Sequence, residues 1–242
     1  MKIEEGVRTD TDLISFLMIG QSNMAGRGDL CDVEPIDNDL CFMYRIARWD
    51  KMVEPINVDK RADSEFAPGV SLGASFADAY AKHFKSSVGL IPCASGGTTV
   101  EQWMPGGDLF DNAVFTSRLA MRTSRLGGIL WHQGESDSYP FMPEVYGEKF
   151  LIIMKSLREA LGIPDLPIVI GELSEKITDR WMASKTAHLM NGLFHSLAAE
   201  LPFCAVADAR DLDVKCDGIH FTAQSQRILG QRYFEKYLSL LK

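Results

Sequence analysis

Five short apolar runs constrain this chain more than any other feature: 13–20 (LISFLMIG), 87–92 (SVGLIP), 127–132 (GGILWH), 167–173 (PIVIGEL) and 203–209 (FCAVADA). Their hydrophobicity is continuous rather than alternating, as in strands buried on both faces. Helical patterns lie between them. Over 71–84, Leu72, Phe76, Tyr80 and Phe84 form one stripe, and over 144–161 Tyr146, Phe150, Ile153, Leu157 and Leu161 do the same before Gly162-Ile163-Pro164 stops the pattern. Segments 183–201 and 222–241 read as further helices. Strands alternating with helices imply right-handed crossovers and an α/β fold, with a parallel sheet covered on both faces. The least regular stretch, 30–68, reads as an insertion or an extra hairpin, and residues 1–242 as a single domain.

Charge and composition exclude several classes of partner. Lys and Arg number 25 against 33 Asp and Glu, a net charge of −8 that repels a phosphate backbone and argues against nucleic acid. No run approaches the roughly 20 apolar residues that a membrane span requires. The opening MKIEEGVRTDTD lacks the basic-then-apolar order of an export signal. The five cysteines are odd in number and scattered without a CxxC pair. They predict neither a disulfide framework nor a thiolate zinc site, and the expectation is reduced thiols in a cytoplasm. Neither glycine-rich nucleotide motif is present, and the His132-x-x-Glu135 spacing has no evident third ligand, so no cofactor and no metal are expected.

The unusual polar clusters follow strands immediately. Gly20-Gln21-Ser22-Asn23-Met24-Ala25-Gly26 follows the first, Ala94-Ser95-Gly96-Gly97-Thr98-Thr99 the second, and Gln133-Gly134-Glu135-Ser136-Asp137 the third. Open parallel sheets bind ligands beyond the carboxyl ends of their strands, where these clusters would converge. Asp217-Gly218-Ile219-His220 sits just ahead of the final helical segment. Ser22 is a weak nucleophile until a base takes its proton. His220 has the intrinsic pKa for that base, and Asp217 three residues earlier could orient its ring. An acyl transfer also needs donors for the developing oxyanion; the N–H groups of Ser22 and Gly97 and the side-chain amide of Gln133 are plausible suppliers. These are the parts of an esterase.

The same residues carry a family resemblance. IGQSNMAGRG (19–28), PCASGGTTVEQW (92–103), LWHQGESD (130–137) and DGIHFT (217–222) resemble, in order and over most of the chain, the SGNH-type hydrolases. The branch they are similar to comprises the sialate O-acetylesterase-like and acetylxylan-esterase-related carbohydrate esterases. The resemblance implies a three-layer α/β/α sandwich with a flavodoxin-like sheet. It implies that Ser22 attacks the ester, that Asp217 and His220 complete a triad, and that Gly97 and Gln133 complete the oxyanion hole. Gly96 competes with Gly97 for that role.

Gln21, Gly96, Trp103 and Glu135 are further expected to touch substrate, with Trp103 either stacking on a sugar or filling the core. Gly69-Val70-Ser71-Leu72-Gly73 fits the G-x-S-x-G elbow of another hydrolase fold. No buried strand precedes it, so Ser71 is expected to start a helix instead. The expected function is removal of acetyl groups from a small-molecule or oligosaccharide acetyl ester. A lipid or thioester hydrolase and a catalytically silent carbohydrate binder are the alternatives.

Overall fold

The computed structural model describes residues 13–57 and 67–241. Seven strands make one sheet: β1 (Ile14–Gly20), β2 (Cys41–Arg45), β3 (Arg48–Lys51), β4 (Val88–Pro92), β5 (Arg125–His132), β6 (Ile168–Gly171) and β7 (Cys204–Ala207). Their order is β3-β2-β4-β1-β5-β6-β7, and every pairing is parallel except the β2–β3 hairpin. Six helices complete the layers: α1 (Ser22–Ala25), α2 (Leu72–Phe84), α3 (Asp108–Ala120), α4 (Pro143–Leu161), α5 (Ala187–Glu200) and α6 (Ala223–Leu240).

The continuous apolar runs are explained by two cores. On β1, Leu17 and Ile19 pack with residues of α3, α4 and α5 on one face. Phe16 and Met18 point the other way, toward α2 and α6. β1 lies between β4 and β5; the chain builds β2 and β4 on one side, then crosses back over β1 to build β5, β6 and β7 outward. That reversal opens a crevice at the carboxyl end of β1, the switch point where open α/β sheets bind ligands.

The stretch 30–68 does hold the expected extra hairpin, β2–β3, with one correction. Part of the supposed irregular insertion at 30–68 belongs to the main sheet, because β2 pairs in parallel with β4, Cys41 opposite Val88 and Met43 opposite Leu90. Ile46 and Ala47 adopt left-handed φ angles of 50° and 58°, the conformation that a two-residue hairpin turn requires. Residues 58–66 of that stretch lie outside the described residues. Helix α3 matches no segment expected from the sequence. It buries Phe110, Ala113, Val114, Ser117 and Ala120, so small residues carry much of its inward face and its periodicity is faint in the sequence. The helix expected from 183 begins at Ala187, after a separate 3-10 turn over Met182–Lys185.

Candidate active site

Ser22 reaches the crevice through an abrupt exit from β1. Gly20 ends the strand at φ 131°, and Gln21 N–H donates to the His132 carbonyl on β5 (2.9 Å). Ser22 then opens the four-residue helix α1. It is only 8% exposed and lines a cavity of about 170 Å³. Gln21, Gly97, Glu135 and His220 line the same cavity, so residues from all four sequence blocks meet there. Trp181, Arg27, Ser136 and Ile219 complete the wall. Gly96 is not part of it. Gly97 stands at φ 70°, in the left-handed region glycine adopts freely. Among the described residues, neither the Ser22 N–H nor the Gly97 N–H has a protein acceptor.

The turn 217–220 folds His220 back onto its own acid. His220 Nδ1–H donates to Asp217 Oδ2 (2.9 Å), while Asp217 Oδ1 accepts the backbone N–H groups of Ile219 and His220, both at 3.0 Å. Burial alone would raise the Asp217 carboxyl. The hydrogen bonds from the His220 ring and the two backbone groups outweigh it and hold the pKa at about 2. Asp217 is therefore a carboxylate at neutral pH.

Asn23, which the sequence reading passed over, anchors this turn. Its Oδ1 accepts Phe221 N–H (3.0 Å), and its Nδ2 donates to the Ile219 carbonyl (3.3 Å) and to Glu135 Oε1 (2.6 Å). The signal was its place directly after Ser22, which fixes the serine and histidine loops to each other. Lys215 adds a second tie, its Nζ donating to Arg27 O (2.8 Å) and Asp29 Oδ1 (2.7 Å).

Gln133 is placed differently from a free oxyanion donor. It is 0% exposed and absent from the cavity wall. Its Nε2 faces three acceptors: Gln21 Oε1 (3.1 Å), Thr98 O (2.9 Å) and Asp137 Oδ2 (2.6 Å). Two N–H groups shared among three acceptors leave none for a ligand in this arrangement. Asp137 also accepts Val100 N–H (2.9 Å), and burial raises its carboxyl. Gln133 thus ties the Gly97 loop to Gln21. Gln21 Oε1 receives that amide together with the N–H groups of Gly134 (3.4 Å) and Ser136 (3.3 Å), so its nitrogen is the free end.

Of the two places expected for it, Trp103 takes the core and not the cavity wall. It is 1% exposed, packs edge-on against Trp131 at 5.7 Å and donates its indole N–H to Thr98 Oγ1 (3.1 Å). It supports the Gly97 loop from beneath. The aromatic side chain in the cavity wall is Trp181. Ser71 caps α2, its Oγ accepting Gly73 N–H (3.0 Å) away from the cavity. His132 is fully buried, and burial lowers its pKa. Tyr233 spends its one hydroxyl hydrogen on Trp131 O (2.7 Å), so His132 Nδ1–H must donate to the phenol oxygen (3.1 Å). Its Nε2 lies 3.7 Å from Glu135 Oε1.

Among the described residues no three His, Cys, Asp or Glu side chains converge as a metal site, and no helix is long and apolar enough to cross a membrane. A larger open depression of about 760 Å³ is lined by Asp208, Arg210, Asp211 and Arg232. Arg210 pairs with Asp208 and Arg232 with Asp211 at 2.6 Å each, and Glu175, Glu235 and Lys236 complete a lining that holds no Ser, Cys or His.

A family model described as carbohydrate esterase, sialic acid-specific acetylesterase, matches residues 13–239. The chain belongs to this family. A probable carbohydrate esterase of Arabidopsis thaliana is 29% identical over 93% of this chain and 90% of its own. An Arabidopsis thaliana crystal structure at the same identity superposes with a TM-score of 0.79, covering 95% of this chain and 98% of that one. NanS, at 16% identity, gives 0.72 over 96% and 98%. The M. smegmatis aryl esterase, also at 16%, gives 0.57 over 93% and 99%. These last two share the fold, a three-layer α/β/α sandwich. Membership in this carbohydrate esterase family makes the protein a carboxylic ester hydrolase.

Proposed function

We propose that this esterase removes acetyl groups from an O-acetylated carbohydrate through an acyl-enzyme on Ser22. The observation that carries the reading is that His220, hydrogen-bonded to Asp217, lines one small cavity with Ser22 and Gly97, whose backbone N–H groups are unpartnered. His220 Nε2 takes the Ser22 proton as Oγ attacks the acetyl carbonyl, and the Asp217 carboxylate stabilises the resulting imidazolium. The N–H groups of Ser22 and Gly97 bind the oxyanion, with Gln21 Nε2 as third donor. Collapse of the tetrahedral intermediate breaks the ester C–O bond, and His220 returns the proton to the departing sugar hydroxyl. Water then repeats the sequence on the acyl-enzyme and releases acetate.

The cavity volume favours a small acyl group. At about 170 Å³ it is smaller than the roughly 300–1,000 Å³ of sites for drug-sized ligands, so a long lipid chain has no room. The sugar would lie at the mouth. A cytoplasmic setting belongs to the same proposal and rests on five free, scattered cysteines.

The test is hydrolysis of 4-nitrophenyl acetate and of acetylated sugars by wild type and Ser22→Ala, with and without EDTA. EDTA-insensitive turnover that Ser22→Ala abolishes is expected, with rates falling steeply from acetate to octanoate. A fully active Ser22→Ala would overturn the mechanism. The two glutamines should separate by role. Gln21→Ala removes a donor to the oxyanion and should lower kcat about 10²-fold to 10³-fold with KM little changed. Gln133→Ala acts through Gln21 and Gly97, so its loss should be smaller. A larger loss from Gln133→Ala would return that amide to the oxyanion hole.

A further inference from the structure

We infer that Trp181 is the platform on which the sugar of the substrate rests, and that it also positions the acid of the triad. The inference rests on the carbohydrate reading above and adds a specificity-determining residue to it. Trp181 lies between β6 and α5, outside the four sequence blocks that supply the rest of the site. It lines the cavity with Ser22 and His220 and is half-buried.

Its indole N–H is already committed, donating to the Asp217 carbonyl at 2.7 Å, and the Arg180 guanidinium stands 5.8 Å from its ring centroid. The ring is therefore held in one orientation and has no polar atom left for a ligand. What it can offer a substrate is apolar surface, which suits the C–H face of a pyranose. Ile219 is the other apolar side chain of the wall. Ile219 is only 9% exposed, so it suits the acetyl methyl inside, while the more exposed indole reaches the mouth where the sugar lies. The same bond to Asp217 O makes Trp181 a positioning residue for the turn that carries His220.

The experiment compares wild type, Trp181→Ala and Trp181→Phe on an O-acetylated methyl glycoside and on ethyl acetate, which has no ring to stack. The ratio of kcat/KM for the sugar ester to that for ethyl acetate should fall about tenfold or more in Trp181→Ala, through the sugar KM, as expected for loss of an aromatic contact worth about 1.4 kcal/mol. Trp181→Phe keeps a ring and should restore the ratio to within about threefold. Both variants lose the bond to Asp217 O, so both should show a lower kcat on both esters.

An unchanged ratio in Trp181→Ala would overturn the platform. An unchanged kcat in both variants would overturn the positioning role. If wild type cleaves ethyl acetate but no acetylated sugar, the carbohydrate reading itself falls and the platform with it. Circular dichroism confirms that each variant is folded before its kinetics are compared.

Discussion

Asp217→Asn should lower kcat for acetyl ester hydrolysis by about 10⁴-fold while leaving KM and the fold nearly unchanged. The reason lies in how the carboxylate divides its two oxygens. Oδ1 accepts two backbone N–H groups, from Ile219 and His220, and Oδ2 accepts the ring Nδ1–H. An asparagine has one oxygen, and the two backbone donors claim it. Its NH₂ then faces His220 Nδ1, which must become the acceptor, so the ring proton moves to Nε2. The nitrogen facing the serine then has no lone pair for the proton. Steady-state kinetics on 4-nitrophenyl acetate read the effect.

The same substitution has a signature in stability. The folded Asp217 pKa is held at about 2, below the ordinary 3.8, so its contribution is complete above the unfolded value and is lost as pH falls from about 4 through 2. Wild type should lose at most about 2 kcal/mol in that window from this group, and Asp217→Asn should not. Urea titrations at pH 2.5, 4 and 6 compare them.

Gly20→Ala should be the most damaging small substitution in the site. Gly20 stands at φ 131°, and a Cβ built on it would overlap the carbonyl carbon and oxygen of His132. Those are backbone atoms of the paired strand β5, and the same carbonyl accepts Gln21 N–H. No side chain can move aside. Either β1 and β5 part at their carboxyl ends, or Gly20 rotates and carries Ser22 out of the cavity. A loss of about 4 kcal/mol or more, with activity gone, is expected from combined strain and overlap. Gly162→Ala is the control. Its φ of 71° is also left-handed, but nothing lies within 4 Å of its Cβ position, so the loss should stay near 1 kcal/mol. Equal losses in the two variants would show that backbone strain alone, not the strand contact, sets the cost.

The parts of this molecule that follow local rules were readable in the sequence. LISFLMIG could only be a strand buried on two faces, and Leu17 and Phe16 do enter opposite cores. The polar clusters after β1, β4 and β5 converge because a parallel sheet puts all its carboxyl ends on one edge. What stayed hidden depends on atoms distant in the chain. Strand β3 reads RWDK, a charged edge with no apolar run, so an extra hairpin was foreseeable in this stretch but its place in the main sheet shows only once β2 lies against β4. Trp181 belongs to no motif; a hydrogen bond across 36 residues to Asp217 puts it in the wall. The direction of the Gln133 amide is set by three acceptors on three separate segments, which no local pattern encodes. Trp103 was left between site and core by its neighbours in sequence, and Trp131, on strand β5, holds it in the core.

The most direct test of the account is intact-mass measurement after treatment with a fluorophosphonate, which captures an activated serine covalently. Wild type should gain one adduct, located on Ser22 by peptide mapping, and lose its esterase activity in proportion. Ser22→Ala should gain none. An adduct on Ser71, or an unlabelled wild type that still hydrolyses acetyl esters, would contradict the assignment of Ser22 as the nucleophile.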